Sequence, residues 1–513
     1  MSKRKRGLSI PWKYIILAFM ILLQLAFFIT CIIVLSRKFL FIYTILQVLS
    51  VVMVLLALNR GGNPSFKLNW IIFILLFPPF GAIFYLFYGT NLPLVRKKKK
   101  FKKIDVRARA ALKSDIQKSD ISGMPSGEAR RQSSFLLNTS GYPAYSGCRT
   151  DYYSPGENAF PRLLEELEKA KQYIFIEFFI LAQGEMWNKI HSILRKKALM
   201  GVDVRIIFDD FGSINKQYAG FVKGLRSEGI KVSVFNPIRP SVDLFMNNRN
   251  HRKIVVVDGK VAMTGGINIA DEYVNYITRF GYWMDCAVFI TGDAAYSFAV
   301  MFLSMWSFIT KKAVDYTLYR PVPGSADTYA GRGYVQPYCD GPLNSQNPAK
   351  GIYLHIINNA DKYVYITSPY LILDNEVMSA LCMAAGSGVD VRIITPKMWD
   401  KWYVHPVTQS NYDELVRNGI RVYEYTPGFI HSKLFVCDDC IATVGSVNMD
   451  YRSFYFHFEC GVWIYDDSAV YSVRDDICEI MSQCEEIKLD KWRKRPFIMK
   501  AKQFVLKMFA PFL

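Results

Sequence analysis

"HRKIVVVDGKVAMTGGINIAD" occupies residues 251–271, and "HSKLFVCDDCIATVGSVNMD" occupies residues 431–450. Aligned on their histidines, both read H-x-K-x4-D-x6-G-[GS]-x-N, so His251, Lys253, Asp258 and Asn268 recur as His431, Lys433, Asp438 and Asn448. Residues two apart on a strand share a face, so His251 and Lys253 point the same way, as do His431 and Lys433. The apolar run after each lysine predicts a hairpin, with Asp258-Gly259 at the first turn. By the same parity Asp258 and Asp438 face away from their histidines and brace the turns. Gly265-Gly266 and Gly445-Ser446 are small enough for backbone and asparagine donors to approach an anion closely.

Working outward, each frame follows the same succession of elements. Residues 160–181, 193–210 and 225–235 each read as a helix leading into a strand, and residues 356–372, 381–396 and 415–425 do so again. "GVDVRII" is identical at 201–207 and 388–394, and "EGIKV" at 228–232 parallels "NGIRV" at 418–422. Alternating helix and buried strand predicts an α/β class. Repetition of the whole order predicts two duplicated domains, over 151–325 and 326–513, facing each other across one shared site. Two copies are too few for a solenoid.

Such a site would hold two histidines, two lysines and two asparagines, an inventory suited to a phosphodiester. Lysines and amide donors stabilise charge on non-bridging oxygens. One neutral imidazole attacks phosphorus and the opposing imidazolium protonates the leaving oxygen. No metal or other cofactor is required, and no acidic metal-binding cluster is evident in the sequence. A lone H-x-K on a strand carries little meaning, but the chain has only six histidines and two occupy equivalent places. The ten cysteines are scattered; Cys437 and Cys440 form one C-x-x-C without a second pair, so the thiols read as reduced and structural.

The N-terminus differs from the rest. Residues 14–35 and 39–58 are apolar runs, each long enough to cross a bilayer as a helix. The first exceeds the ~7–15 residues of a signal-peptide core, which predicts a retained anchor. A third run, 70–89, is interrupted by Pro78, Pro79 and Gly81, and either spans with a kink or lies re-entrant. Basic clusters at 3–6 and 96–103 favour the cytoplasmic side at both ends, giving two crossings, a non-spanning third segment and catalytic domains on the cytoplasmic face. The segment 96–150 reads as a basic polar linker after a membrane anchor at 1–95. Much of the +19 formal charge lies beside the hydrophobic runs, which favours anionic lipid headgroups over nucleic acid.

The twin frames resemble the histidine–lysine–aspartate motifs of the phospholipase D superfamily. Along nearly its full length the chain is similar to bacterial cardiolipin synthases, including a W-P-G-Y-G pattern at Trp70, Pro79, Gly81, Tyr85 and Gly89. The resemblance implies two facing α/β/α sandwich domains and a catalytic set of His251, Lys253, Asp258, His431, Lys433 and Asp438. It implies phosphate binding by Asn268 and Asn448, and carboxylates behind the histidines at Asp285 and Glu459. It also implies a phosphohistidine, with His251 as nucleophile and His431 as acid, although near-symmetry of the frames permits the reverse. Phosphatidylglycerol is then both donor and acceptor, giving cardiolipin and glycerol at a membrane. His457 departs from the asparagine usual in relatives. Glu177, a charge inside an apolar strand, lines the cavity, pairs with a lysine or ends the strand; "SPY" at 368–370 occupies the equivalent strand and makes the halves unequal there. A lipid hydrolase or nuclease on the same scaffold, or a catalytically silent lipid-binding scaffold, are the rival readings.

Overall fold

The computed structural model describes residues 40–90, 94–119, 121–238 apart from 215 and 218, 247–321 and 333–512, with scattered positions between 22 and 34. The apolar run at 14–35 lies almost wholly outside the described residues, as does the basic cluster at 3–6. Two compact units divide the chain, one built from residues up to 96 with 238–245, the other from the remainder.

In the first unit, helix Leu40–Asn59 runs 20 residues without an Asp, Glu, Lys, Arg or His. Asn63 caps the next helix, Pro64–Leu76, by accepting from the Ser65 amide at 2.9 Å, with proline at the start as helix entry favours. That helix stops at Phe77, and Pro78–Phe84 begins anew before a π-turn at Tyr85–Gly89. The third apolar run is therefore broken into short pieces, as its prolines dictate. Gly81 is the close approach: a Cβ there would lie 2.7 Å from the Ile74 Cα. Trp70 packs edge-on against Tyr85 at 5.5 Å in one small core, and Arg60 donates to the Gly89 carbonyl at 2.6 Å. Side chains at 40, 42 and 43 are outside the described set, and among what is described no helix is long and apolar enough to cross a membrane.

The second unit contains two sheets of like topology. In the first, Tyr173–Phe178, Asp203–Asp209 and Lys231–Phe235 run parallel, and Ile254–Val257, Val261–Gly265, Ala287–Thr291 and Arg149–Tyr153 continue antiparallel from its other side. The second repeats this with Tyr363–Thr367, Asp390–Pro396 and Arg421–Tyr425 parallel, then Leu434–Cys437, Ile441–Gly445, His457–Tyr465 and Tyr334–Asp340. The identical heptapeptides feed equivalent strands through Gly201 at φ 87° and Gly388 at φ 94°, a left-handed exit from the preceding helix that only glycine adopts cheaply. Helices Gly156–Lys169 and Glu185–Leu199 cover one face of the first sheet, and Pro348–Asn358 and Asn375–Gly386 cover the second. Helix Ala294–Thr310 is apolar almost all round, and a helix of that kind is buried: it packs on the first sheet and on strand Tyr334–Asp340 of the second.

The segment 96–150 is not a linker. It folds as helices Val95–Ala111, Lys113–Lys118 and Gly127–Ser140, and strand Tyr145–Ser146 joins the second sheet beside Tyr334–Asp340. Met124, Ala129, Leu136 and Ala144 belong to the second sheet's core. Lysines and arginines mask the pattern in Val95–Ala111, whose buried residues are Phe101, Ile104 and Ala108, at helical spacing.

Candidate active site

Two short parallel strand pairs join the halves and set the site. Arg249–Asn250 lies beside His457–Phe458, and the His251 amide donates to the Phe458 carbonyl at 2.9 Å. Gly428–Ile430 lies beside Tyr282–Met284, and the His431 amide donates to the Met284 carbonyl at 2.7 Å. Each histidine thus leaves its own frame along a strand of the opposite half that carries a carboxylate.

The pairing is consequently crossed. His251 Nδ1 stands 3.0 Å from both Glu459 oxygens, and His431 Nδ1 stands 2.7 Å from Asp285 Oδ2. All four side chains are buried. With each Nδ1 held by a carboxylate, Nε2 is the nitrogen left for chemistry. Lys253 donates to the His251 carbonyl at 2.6 Å; Lys433 donates to the His431 carbonyl and its Nζ lies 2.9 Å from His431 Nδ1. Both lysines therefore stand beside their histidines, as the two-residue spacing requires.

The two carboxylates are held differently. Glu459 accepts from Ser446 Oγ and, at 2.8 Å, from Ser453 Oγ. Burial nevertheless pushes its carboxyl up to about 8, against the pull of Lys253 and these hydroxyls. Asp285 accepts from the Cys286 amide at 2.9 Å. Burial raises it too, but His431, Lys433 and that amide outweigh burial and leave it below the usual carboxylate range. Gly266 explains part of the contrast: a Cβ there would lie 2.0 Å from Asp285 Oδ1, whereas its counterpart Ser446 uses its side chain to hold Glu459.

Burial, then the neighbouring Lys253, drive His251 well below its ordinary range. His431 is lowered to about 4 by burial and Lys433, with Asp285 opposing. Burial lowers Lys253 to about 7 and Lys433 to about 8, with the site carboxylates opposing. The protein groups by themselves thus favour neutral imidazoles, with lysines whose charge a neighbouring anion would stabilise.

Asn268 Oδ1 accepts from the Ile180 amide at 3.1 Å. Its Nδ2, beside the Tyr273 hydroxyl, and Asn448 Oδ1 are buried without a hydrogen bond of ordinary geometry. Rotating the Asn448 amide exchanges its oxygen for its nitrogen, so both asparagines have a donor to offer an anion. Asp258 and Asp438, counted with the catalytic motif, are not brought to the histidines. Each stands in its hairpin turn at φ 52° and accepts from three successive amides, those of residues 171–173 and 361–363 respectively, at 2.7–2.8 Å. They fasten the frame to the first residue of the central strand.

Glu177 does not pair with a lysine. It is fully buried, accepts from Asn250 Nδ2 at 2.7 Å, lies 4.0 Å from Arg252, and burial raises it to about 7. By sheet register its counterpart is Thr367, whose hydroxyl meets Ser432 at 3.0 Å, so the halves differ here by a buried charge. His457 packs 5.6 Å from the His251 ring, accepts from Arg452 at 3.3 Å through Nε2, and leaves Nδ1 buried without a hydrogen bond.

Sequence reasoning missed the aromatic walls: Phe179 lies 5.1 Å from His251, and Tyr273 and Trp283 lie 5.2 and 5.3 Å from His431. Trp283, two residues before Asp285 on the strand that leads into it, was open to the same parity argument. Tyr370 of "SPY" donates to Asp400 at 2.5 Å and accepts from Lys401, a cluster that no local spacing announces.

Comparison with known proteins agrees with this architecture. The family model for the cardiolipin synthase PLD-like domain matches residues 163–306 and 353–481, and that for the phospholipase D-nuclease N-terminal region matches 42–89. A cardiolipin synthase of Geobacillus sp. (strain WCH70) is 34% identical over 462 residues, covering 88% of this chain and 90% of that protein. Cardiolipin synthase 2 of Bacillus anthracis is 32% identical, covering 88% of each. An uncharacterized protein of Streptococcus mutans serotype c is 38% identical, covering 90% of this chain and 99% of its own. The crystal structure of phosphatidylserine synthase from Haemophilus influenzae Rd KW20 superposes with TM-score 0.56 over 75% of this chain and 98% of that one, at 16% identity, a likeness of fold. On its duplicated domain and its full-length relatives, this chain belongs to the cardiolipin synthase family of phospholipase D-like proteins.

Proposed function

We propose that the protein is a membrane-anchored phosphatidyltransferase that makes cardiolipin from two molecules of phosphatidylglycerol. The observation that carries this reading is the crossed pair of buried dyads, His251–Glu459 and His431–Asp285, each with a lysine beside it. In the first step His251 Nε2 attacks phosphorus, the bond from phosphorus to the headgroup glycerol oxygen breaks, and His431 gives that oxygen its proton. In the second, the hydroxyl of another phosphatidylglycerol yields its proton to His431 and attacks the phosphohistidine, breaking the P–N bond. Atoms balance with no oxidant or co-reactant. Names and identities of the relatives support phosphatidylglycerol as substrate, and the S. mutans relative carries no named activity.

Electrostatics favour this division of labour. Burial and the neighbouring Lys253 hold His251 neutral, as a nucleophile must be. His431 has an ionised Asp285 behind it, which stabilises the imidazolium formed when it takes a proton. A bound phosphodiester adds negative charge that raises both lysines and His431, completing the acid. The buried aromatic walls exclude water, which would otherwise compete with the lipid hydroxyl.

The anchor in this reading is the pair of apolar runs at 14–35 and 39–58, with 70–89 not crossing. The sequence supports it: residues 39–58 carry no Asp, Glu, Lys, Arg or His, and Phe41, Ile45, Val48 and Leu55 are exposed. The test is product analysis of purified protein in phosphatidylglycerol micelles without added metal. Cardiolipin with equimolar glycerol, lost in His251→Ala and in His431→Ala, is expected. Phosphatidic acid as the main product would replace the transferase by a lipase.

A further inference from the structure

The C-terminal segment takes no part in the chemistry above, and its surface is unlike the rest of the second unit. In helix Phe497–Lys507 only Gln503 is fully buried. Phe497, Ile498 and Phe504 are 83%, 77% and 73% exposed. Together with Val505 they recur at i, i+1, i+7 and i+8, which is a single stripe along a helix. The stripe is flanked by Lys491, Arg493, Lys494, Lys500, Lys502 and Lys507, against Asp490 in the same stretch and Asp413, which pairs with Arg493 at 3.4 Å.

Three further observations enlarge this face. Lys502 Nζ lies 5.2 Å from the centre of the Trp402 ring, and Trp402 and Trp399 are themselves more than half exposed. A cleft of about 360 Å³ runs along the helix, lined by Arg417, Arg493, Arg495, Lys500 and Lys507, with Asp413 the sole acid among its lining residues. The face also adjoins the catalytic cluster from two sides. The Phe512 carbonyl accepts from Arg452, which donates to His457 beside His251. Lys401, the neighbour of Trp402, donates to Tyr370, which donates to Asp400, a carboxylate near enough to His431 to interact with its charge.

We propose that helix Phe497–Lys507 and the 398–403 loop form an interfacial docking face for an anionic bilayer, which sets the mouth of the active site against the lipid surface. The apolar stripe enters the boundary between headgroups and acyl chains, the two tryptophans lie at headgroup level, and the basic cleft takes lipid phosphates. Charge complementarity selects this occupant: interfaces between proteins are depleted in lysine, whereas lysines beside an exposed apolar stripe and interfacial tryptophan match an anionic membrane. The inference concerns binding and stands whichever phosphodiester reaction the site performs.

Hydrogen exchange on the full chain in lipid nanodiscs tests it. On discs containing phosphatidylglycerol, amides at 497–507 and 398–403 should exchange on the order of tenfold more slowly than on phosphatidylcholine discs, and less so at high salt. The double variant Phe497→Asp/Phe504→Asp should lose that difference while strand Leu434–Cys437 keeps its protection, showing an intact fold. Equal exchange on both discs would overturn the proposal. So would protection that follows protein concentration rather than lipid composition, which would mean that a second copy covers the face.

Discussion

The two dyads are built from equivalent strands, yet Glu459 and Asp285 are not equivalent carboxylates. Glu459 is longer, receives two serine hydroxyls and is raised to about 8 by burial; Asp285 receives one backbone amide and is held below its usual range by His431. A single exchange within the frame, Gly266 against Ser446, goes with the difference: the glycine leaves room for Asp285, and the serine reaches Glu459. A duplicated fold can therefore surround two identical histidine–lysine pairs with unlike carboxylates, the asymmetry that the proposed nucleophile and acid roles require. What distinguishes the halves is the support behind each imidazole.

That comparison breaks first at the carboxylates. Asp285→Asn should lower kcat by roughly 10³–10⁴-fold, because it removes the charge that stabilises the His431 imidazolium and inverts the hydrogen bond that sets its tautomer. Glu459→Gln should cost less, on the order of 10–10²-fold, since its carboxyl is already close to neutral and two serines hold its position. Steady-state rates of cardiolipin formation check both, and equal losses would erase the functional asymmetry. Next come the lysines. Lys253 at about 7 and Lys433 at about 8 must be charged to hold a phosphodiester, so kcat/KM should fall as pH rises through 7–8, well below the ordinary lysine value of about 10.5. The acid limb belongs to His251, which must be neutral to attack, and should lie below 6.5, since burial and Lys253 lower it. A pH profile of kcat/KM reads both limbs, and an alkaline limb near 10 would show that the lysines are not desolvated. The smallest effect is expected from Ser446→Ala, which removes one hydroxyl from Glu459 at about 1 kcal/mol, or some fivefold in rate. Gly266→Ala, the matching change, should be worse because its methyl collides with Asp285.

Much of this was readable from the chain. The repeated frame gave the duplicated α/β domains, the facing histidines and lysines, and the turn-bracing role of Asp258 and Asp438, because strand parity is local. Asp285 and Glu459 were found through the family resemblance. Their crossing could not be read, since it depends on two- and three-residue strand pairings between halves, Arg249–Asn250 with His457–Phe458 and Gly428–Ile430 with Tyr282–Met284. The partner of Glu177 was missed for a related reason: Arg252 and Asn250 flank His251 in sequence, and alternation alone does not say which of them turns back into the sheet. The segment 96–150 was misread because charge along an amphipathic helix conceals a narrow buried stripe at Phe101, Ile104 and Ala108.

In the proposed mechanism one histidine carries the phosphatidyl group while the other moves protons. Acid-free quenching during turnover of phosphatidylglycerol labelled in its phosphate, followed by peptide mapping, tests it most directly. The label should reside on the peptide containing His251, accumulate in His431→Ala, and be absent from His251→Ala. Label on the His431 peptide would reverse the roles, and cardiolipin formed by His251→Ala at an undiminished rate would contradict the covalent mechanism altogether.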